Sequence, residues 1–137
     1  MTRNEAREIL MQIMYEMDAS GEMTKERADL LAQERLAGNH IARGQALLGT
    51  VIDHLEEIDQ QINSHSSRWK TSRMPRVDLA IMRIALGEIL WMDDIPDAVS
   101  INEAINIARK FSTDHSAKFI HGVLGAIHRD LKAEPAR

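Results

Sequence analysis

The chain has 137 residues, 44% apolar and 28% charged, enough for one domain with a real core, and this balance argues against disorder. Its formal net charge is -4; stand-alone nucleic-acid binders ordinarily carry a basic excess, so such binding would have to come from a local patch or from a partner that supplies positive charge. There is no cysteine, which excludes disulfides and thiolate metal sites and fits a reducing cytoplasm, and there is neither a signal-peptide core nor an apolar run near the roughly 20 residues of a membrane span.

The periodicity is helical throughout. Thr2 and Glu5 have the spacing of a capping box, and Ala6, Ile9, Leu10, Ile13, Met14 and Met17 follow at three- and four-residue steps as one apolar stripe. Ser20-Gly21 ends this helix. A second helix is predicted after Thr24, ending near Gly38, with Ala28, Leu31 and Ala32 inward. Asn39 then caps a long third helix. Its apolar residues Ile41, Leu48, Leu55 and Ile62 recur in heptads, with Val51 and Ile58 at the second position, Gly44 one heptad before them, and a seam of roughly 20 residues.

Ser64 to Ser67 is a polar break, which divides a single domain, 1–137, into subdomains of about 1–65 and 66–137. Pro75 suits the first turn of the next helix, which is apolar almost all round and so should be the central one, with Ile81, Ile84 and Ile89 in the core. Asp93 to Pro96 stops it. Ser100 and Glu103 repeat the capping-box spacing and open a helix that runs to Phe111. Ser112, Thr113 and Asp114 offer the next cap. The last helix carries Ile120, Val123, Leu124, Ile127 and Leu131, and its Gly122 and Gly125 would admit a close neighbour. The tail, 133–137, is expected to fray. The reading is all-α, without useful β-alternation or an internal repeat.

Catalytic chemistry finds no support. The six histidines form no HExxH and no Glu-x-x-His, and His121 and His128 lie two turns apart, too far to share a zinc. The seven glycines make no phosphate loop, and nucleophile elbows are absent. The expectation is a non-enzyme with no catalytic residue, metal or cofactor. Three features suit binding. Arg3 and Arg7 lie one helical turn apart on one face of the first helix, which is either an RNA contact or an ordinary solvated face. Arg68, Lys70, Arg73 and Arg76 surround Trp69, either as a stacking surface for single-stranded RNA or as solvated neighbours of a core tryptophan. Lys118-Phe119 offers a cation beside an aromatic that is either core or platform.

Several stretches together resemble the NusB family. AREILMQIMYEMD (Ala6 to Asp18) is similar to the family's first helix, with Arg7, Gln12 and Tyr15 in place. WKTSRMPRVDLAIMRIALGEIL (Trp69 to Leu90) carries the Trp, the Arg four residues on, and the Val-Asp-led core helix. Ile95 to Leu124 holds the Ile-Pro, Ile-Asn-Glu-Ala, Ala-Arg-Lys-Phe and Ser-x-Lys-Phe-x-x-Gly-Val-Leu elements in family order. The resemblance covers about the whole chain, with Ser20 to Ser67 matching only as helices. It implies two packed three-helix bundles and no catalysis. It also implies a heterodimer with the ribosomal protein NusE that reads boxA RNA in ribosomal RNA leaders within a transcription elongation complex. By match, the RNA-binding residues are Arg3, Arg7, Lys118 and Phe119, and the partner-facing residue is Asp78. The chain departs from the family in having only Arg3 and Arg7 where many relatives carry a denser arginine cluster. His121 stands at a position usually Asn, and His115 in a usually acidic slot. A homodimeric protein-interaction scaffold is the alternative. Such domains also occur fused to RNA cytosine methyltransferases, an activity not expected within these 137 residues.

Overall fold

Local capping sets several of the helix starts. Helix α1 (Arg3–Ser20) opens at Thr2, whose hydroxyl accepts the backbone N–H of Glu5 at 3.1 Å. It closes at Gly21, where φ of 73° is the left-handed conformation glycine tolerates. Helix α2 (Lys25–Arg35) opens at Thr24 by the same bond, to Arg27 N at 3.2 Å. Then come α3 (His40–Asp53), α4 (Leu55–His65), α5 (Arg76–Trp91) directly behind Pro75, α6 (Asp97–Phe111) behind Pro96, and α7 (Asp114–Ala133). The last is capped by Thr113, whose hydroxyl accepts from Ser116 N at 3.0 Å. The structure, a computed structural model, describes residues 1–133, so the expected fraying falls, past Ala133, outside the described residues. The fold is all-α, and no helix among the described residues is long and apolar enough to cross a membrane.

Helix α5 is central, as its all-round apolarity predicts. It packs against α1, α3, α4, α6 and α7, and buries Leu79, Ile81, Met82 and Leu86 completely or nearly so. Helices α1, α2 and α3 pack on one another, α6 and α7 form the most extensive helix pair, and α4 lies on α5 and α7. Ile84 is buried in α5 while Ile89 is half-buried. Ile84→Ala should therefore lower unfolding free energy by roughly 2–5 kcal/mol in a denaturant titration, the usual cost of a large-to-small core change. A loss below about 1 kcal/mol would contradict the central placement of α5.

Three local expectations are corrected. The long third helix is two helices, broken at His54, where φ of -115° and ψ of 24° leave the α region. There the imidazole stacks on Trp91, with ring centroids 4.2 Å apart, and its Nδ1 sits 3.0 Å from Glu57 Oε1. The break lets α3 stay on α1 and α2 while α4 crosses to α7. Second, Ser100 is not a cap: Pro96 starts α6 earlier, and Ser100 is buried inside it. Third, Gly122 and Gly125 admit no helix; a Cβ at Gly122 would meet nothing within 4 Å. The close approaches are at Gly44, where a Cβ would collide with Leu36, and at Gly87, where it would lie 2.6 Å from Val51 Cγ2 and 2.9 Å from Leu47 Cδ1.

Candidate nucleic-acid interface

The connection from α4 to α5 and the first turns of α7 come together around two aromatic rings. Ser66, buried, bonds the backbone of Trp69 on both sides: its hydroxyl donates to the Trp69 carbonyl and accepts the Trp69 N–H at 3.3 Å. Lys70 turns back and donates to the carbonyls of Asn63 and Ser66 at 2.9 and 3.2 Å. This holds Trp69 half-buried against the core, with Phe119 of α7 edge-on to it, centroids 5.2 Å apart at 66°. The Arg68 guanidinium lies over the Trp69 ring, 4.9 Å from its centroid, and its Nη1 is 2.8 Å from His115 Nε2. Arg68, His115 and Lys118 are exposed and Phe119 is half-buried. Of the other basic residues near Trp69, Arg76 is committed to Asp18, at 2.8 and 2.9 Å, and to the Thr71 carbonyl, while Arg73 is exposed. The tryptophan thus anchors the turn in the core and also carries a cation on its outer side.

The arginine pair of α1 divides. Arg3 is exposed. Arg7, one turn deeper under α5 and α6, is only 4% exposed, which corrects the expectation of a solvated arginine face. Its Nε donates to both carboxylate oxygens of Glu88, at 3.1 and 2.9 Å, and its Nη1 donates to Asn4 Oδ1 at 2.9 Å. Ser100 donates to the same carboxylate at 2.7 Å. The charge of Arg7 is therefore spent within the fold. A small cleft beside it is lined by Arg3, His40, Arg43 and Glu88. There Arg43 grips Asp94 at 2.9 and 3.1 Å, and this hydrogen-bonded guanidinium holds the Asp94 carboxyl below its ordinary pKa.

Asp78 also lies elsewhere than expected. It is 0% exposed, so it cannot reach a partner's basic group across an interface as a surface carboxylate would. Ser112 donates to its Oδ1 at 3.1 Å, and its Oδ2 has no hydrogen-bond partner among the described residues. Burial pushes the carboxyl above its ordinary pKa, and the hydroxyls of Ser116 and Ser112 offset part of that rise. What Asp78 does hold is the end of α6, where Phe111, beside Ser112, is 37% exposed. Phe111, Tyr15 (40% exposed), Val77 and Met11 line a shallow apolar groove bordered by Gln12 and Glu16. No local pattern in the sequence marks these aromatics as a surface. The available signal was Tyr15 itself, an aromatic off the apolar stripe of α1.

His121 is exposed, and His128 lies 3.2 Å from Asp97. No cluster of three His, Asp or Glu among the described residues could hold a metal.

The sequence profile of the NusB family matches residues 4–129. The transcription antitermination protein NusB of Chloroherpeton thalassium is 37% identical over 97% of this chain, which spans 64% of that relative's length. That of Natranaerobius thermophilus is 38% identical over 96% of this chain and 97% of its own length. Among solved structures, a chain in the crystal structure of the antitermination factors NusB and NusE in complex with dsRNA is similar with a TM-score of 0.82. It is 23% identical, over 93% of this chain and 96% of that one.

Proposed function

The chain belongs to the NusB family, and on that premise we propose that it is a cytoplasmic transcription antitermination factor. In this reading it binds boxA-type single-stranded RNA as a heterodimer with a NusE-type ribosomal protein, within the transcription elongation complex, and supports ribosomal RNA transcription. It works by binding and not by catalysis.

One observation carries the reading. The exposed cation Lys118 and the Phe119–Trp69 aromatic pair stand at the start of α7, and the exposed Phe111 and Tyr15 stand at the end of α6 and on α1. Only the link Ser112–Thr113 separates the two helices. The aromatic and cationic face suits splayed bases and phosphates of a single strand. The apolar groove suits a protein, and Asp78 holds the end of α6 that carries Phe111 through Ser112. A partner docked there sits beside the RNA face and can supply the positive charge that a chain of net charge -4, with Arg7 already neutralised, lacks. Direct contacts to RNA fall to Arg3, Lys118 and Phe119, with Arg7 fixing the start of α1.

Lys118→Ala should weaken RNA binding by the heterodimer and reduce its salt dependence by about 0.7 log units per decade of salt, the share of one phosphate contact on a single strand. Titration at several salt concentrations, with partner affinity measured alongside, checks this; an unchanged slope would remove Lys118 from the RNA face. A homodimeric scaffold with little RNA binding is the second reading, favoured by the same apolar groove and by the burial of Arg7. Mass in solution, before and after adding a NusE-type protein, separates the two.

A further inference from the structure

We propose that Arg68 is an additional RNA contact, and that the Trp69–Arg68–His115 assembly is a stacking post for one nucleobase next to Lys118. The proposal rests on the reading of this face as an RNA surface.

Of the sixteen lysines and arginines among the described residues, eight pair with a carboxylate, Lys25 and Arg27 with Asp53 and Glu22 at the surface. Arg7 is paired with Glu88, Arg35 with Glu16, Arg43 with Asp94, Arg76 with Asp18, Arg83 with Asp59 and Lys110 with Glu8. Among the described residues no carboxylate pairs with Arg68 or Lys118, although Asp114 is exposed on the same first turn of α7. Arg68 is nevertheless held in place. Its guanidinium lies over the indole of Trp69, and it is tethered through Nη1 to His115 Nε2 at 2.8 Å. Because a guanidinium has no acceptor, the imidazole nitrogen must accept in that bond. Trp69 is in turn fixed by Ser66 and by the edge of Phe119.

An exposed arginine normally samples many rotamers, and ordering it on binding costs entropy. Here the indole and the imidazole have already ordered it. The result is a planar cation lying over an aromatic ring, 4.9 Å from its centroid, with its side chain exposed to solvent. Single-stranded RNA is read by stacking bases on aromatic rings and on guanidinium planes, with cations taking the adjacent phosphates. A base laid on Arg68 would complete an indole–guanidinium–base stack, and Lys118 on the neighbouring helix turn would take a phosphate.

The test uses the heterodimer with a NusE-type protein and a fluorescent boxA-type single-stranded RNA, at several salt concentrations. Arg68→Ala should weaken binding roughly 5- to 150-fold, the range for losing one stacked base. Arg68→Lys should lose most of the same factor while keeping the wild-type salt slope, since the charge remains and the plane does not. Circular dichroism should be unchanged, because the side chain is exposed. Arg68→Lys binding like wild type would reduce Arg68 to a point charge and overturn the stacking post. So would a silent Arg68→Ala beside a damaging Lys118→Ala, which would leave the RNA reading standing. If the wild-type heterodimer bound no RNA, or both alanine variants were silent, the RNA reading itself would fail and the post with it.

Discussion

Glu88→Ala should destabilise the protein by about 3–5 kcal/mol, the usual cost of removing one partner of a buried ion pair. Glu88 and Arg7 have side chains only 4% and 5% exposed, and the guanidinium meets the carboxylate through Nε at 2.9 Å. Taking the carboxylate away leaves a cation that cannot be deprotonated inside the α1–α5–α6 contact, and strips Ser100 of its acceptor. Arg7 already has one buried nitrogen, Nη2, without a partner, so nothing in place can compensate. The loss should appear in a denaturant titration as a lowered midpoint with an unchanged slope. Replacing both partners with apolar residues of similar volume, Arg7→Met with Glu88→Leu, should recover most of it, since desolvating the pair is itself expensive. A Glu88→Ala protein within about 1 kcal/mol of wild type would mean that Arg7 escapes to solvent, and would return it to the list of direct RNA contacts.

Asp78→Lys is expected to be comparably damaging, on the order of several kcal/mol, for the opposite charge and the same reason: an unpaired ion in a site closed to water. A surface carboxylate reversed to lysine would cost little. Asp78→Asn, in contrast, keeps an oxygen to accept from Ser112 and removes the buried charge. The sign with pH follows from the raised pKa. A carboxyl whose pKa is higher in the folded state stabilises the fold most fully below its unfolded value, about 4. That contribution is lost as pH rises through the folded value. Stability curves of wild type and Asp78→Asn should thus lie close together near pH 3 and separate in favour of the asparagine variant toward neutrality. An Asp78→Lys protein as stable as wild type would put this side chain on the surface.

Those two carboxylates mark where sequence reasoning reached and where it stopped. The starts of α1 and α2 at Thr2 and Thr24, the end of α6 at Phe111 and the central position of α5 were legible, because capping and apolar periodicity act within a few residues. The break at His54 was not, since no glycine or proline marks it and the heptad runs through; it is accompanied by the His54–Trp91 stack, between residues 37 positions apart. Ser100 and Glu103 imitate a cap because the pattern carries no record of Pro96 having started the helix already. Arg7 read as one of a solvated pair because its true partner lies 81 residues away. Asp78 was placed by family match alone, and the fold turns it inward under Ser112. For Lys118 and Phe119 the adjacency of cation and aromatic is local to the sequence, while the exposure of Lys118 and the packing of Phe119 on Trp69 depend on how α7 meets the α4–α5 connection.

The composite interface is tested most directly by titrating a boxA-type single-stranded RNA with this chain alone, with a NusE-type protein alone, and with the two together, at two salt concentrations. Binding by the chain alone should be barely detectable, since Arg7 is spent on Glu88 and the net charge of -4 repels RNA over roughly 10 Å at 0.1 M salt. The pair should bind clearly more tightly, with a steeper loss of affinity as salt is raised, because the partner adds phosphate contacts. Equal affinity and equal salt dependence for the chain alone and the pair would contradict the account, by placing the whole RNA surface on this chain.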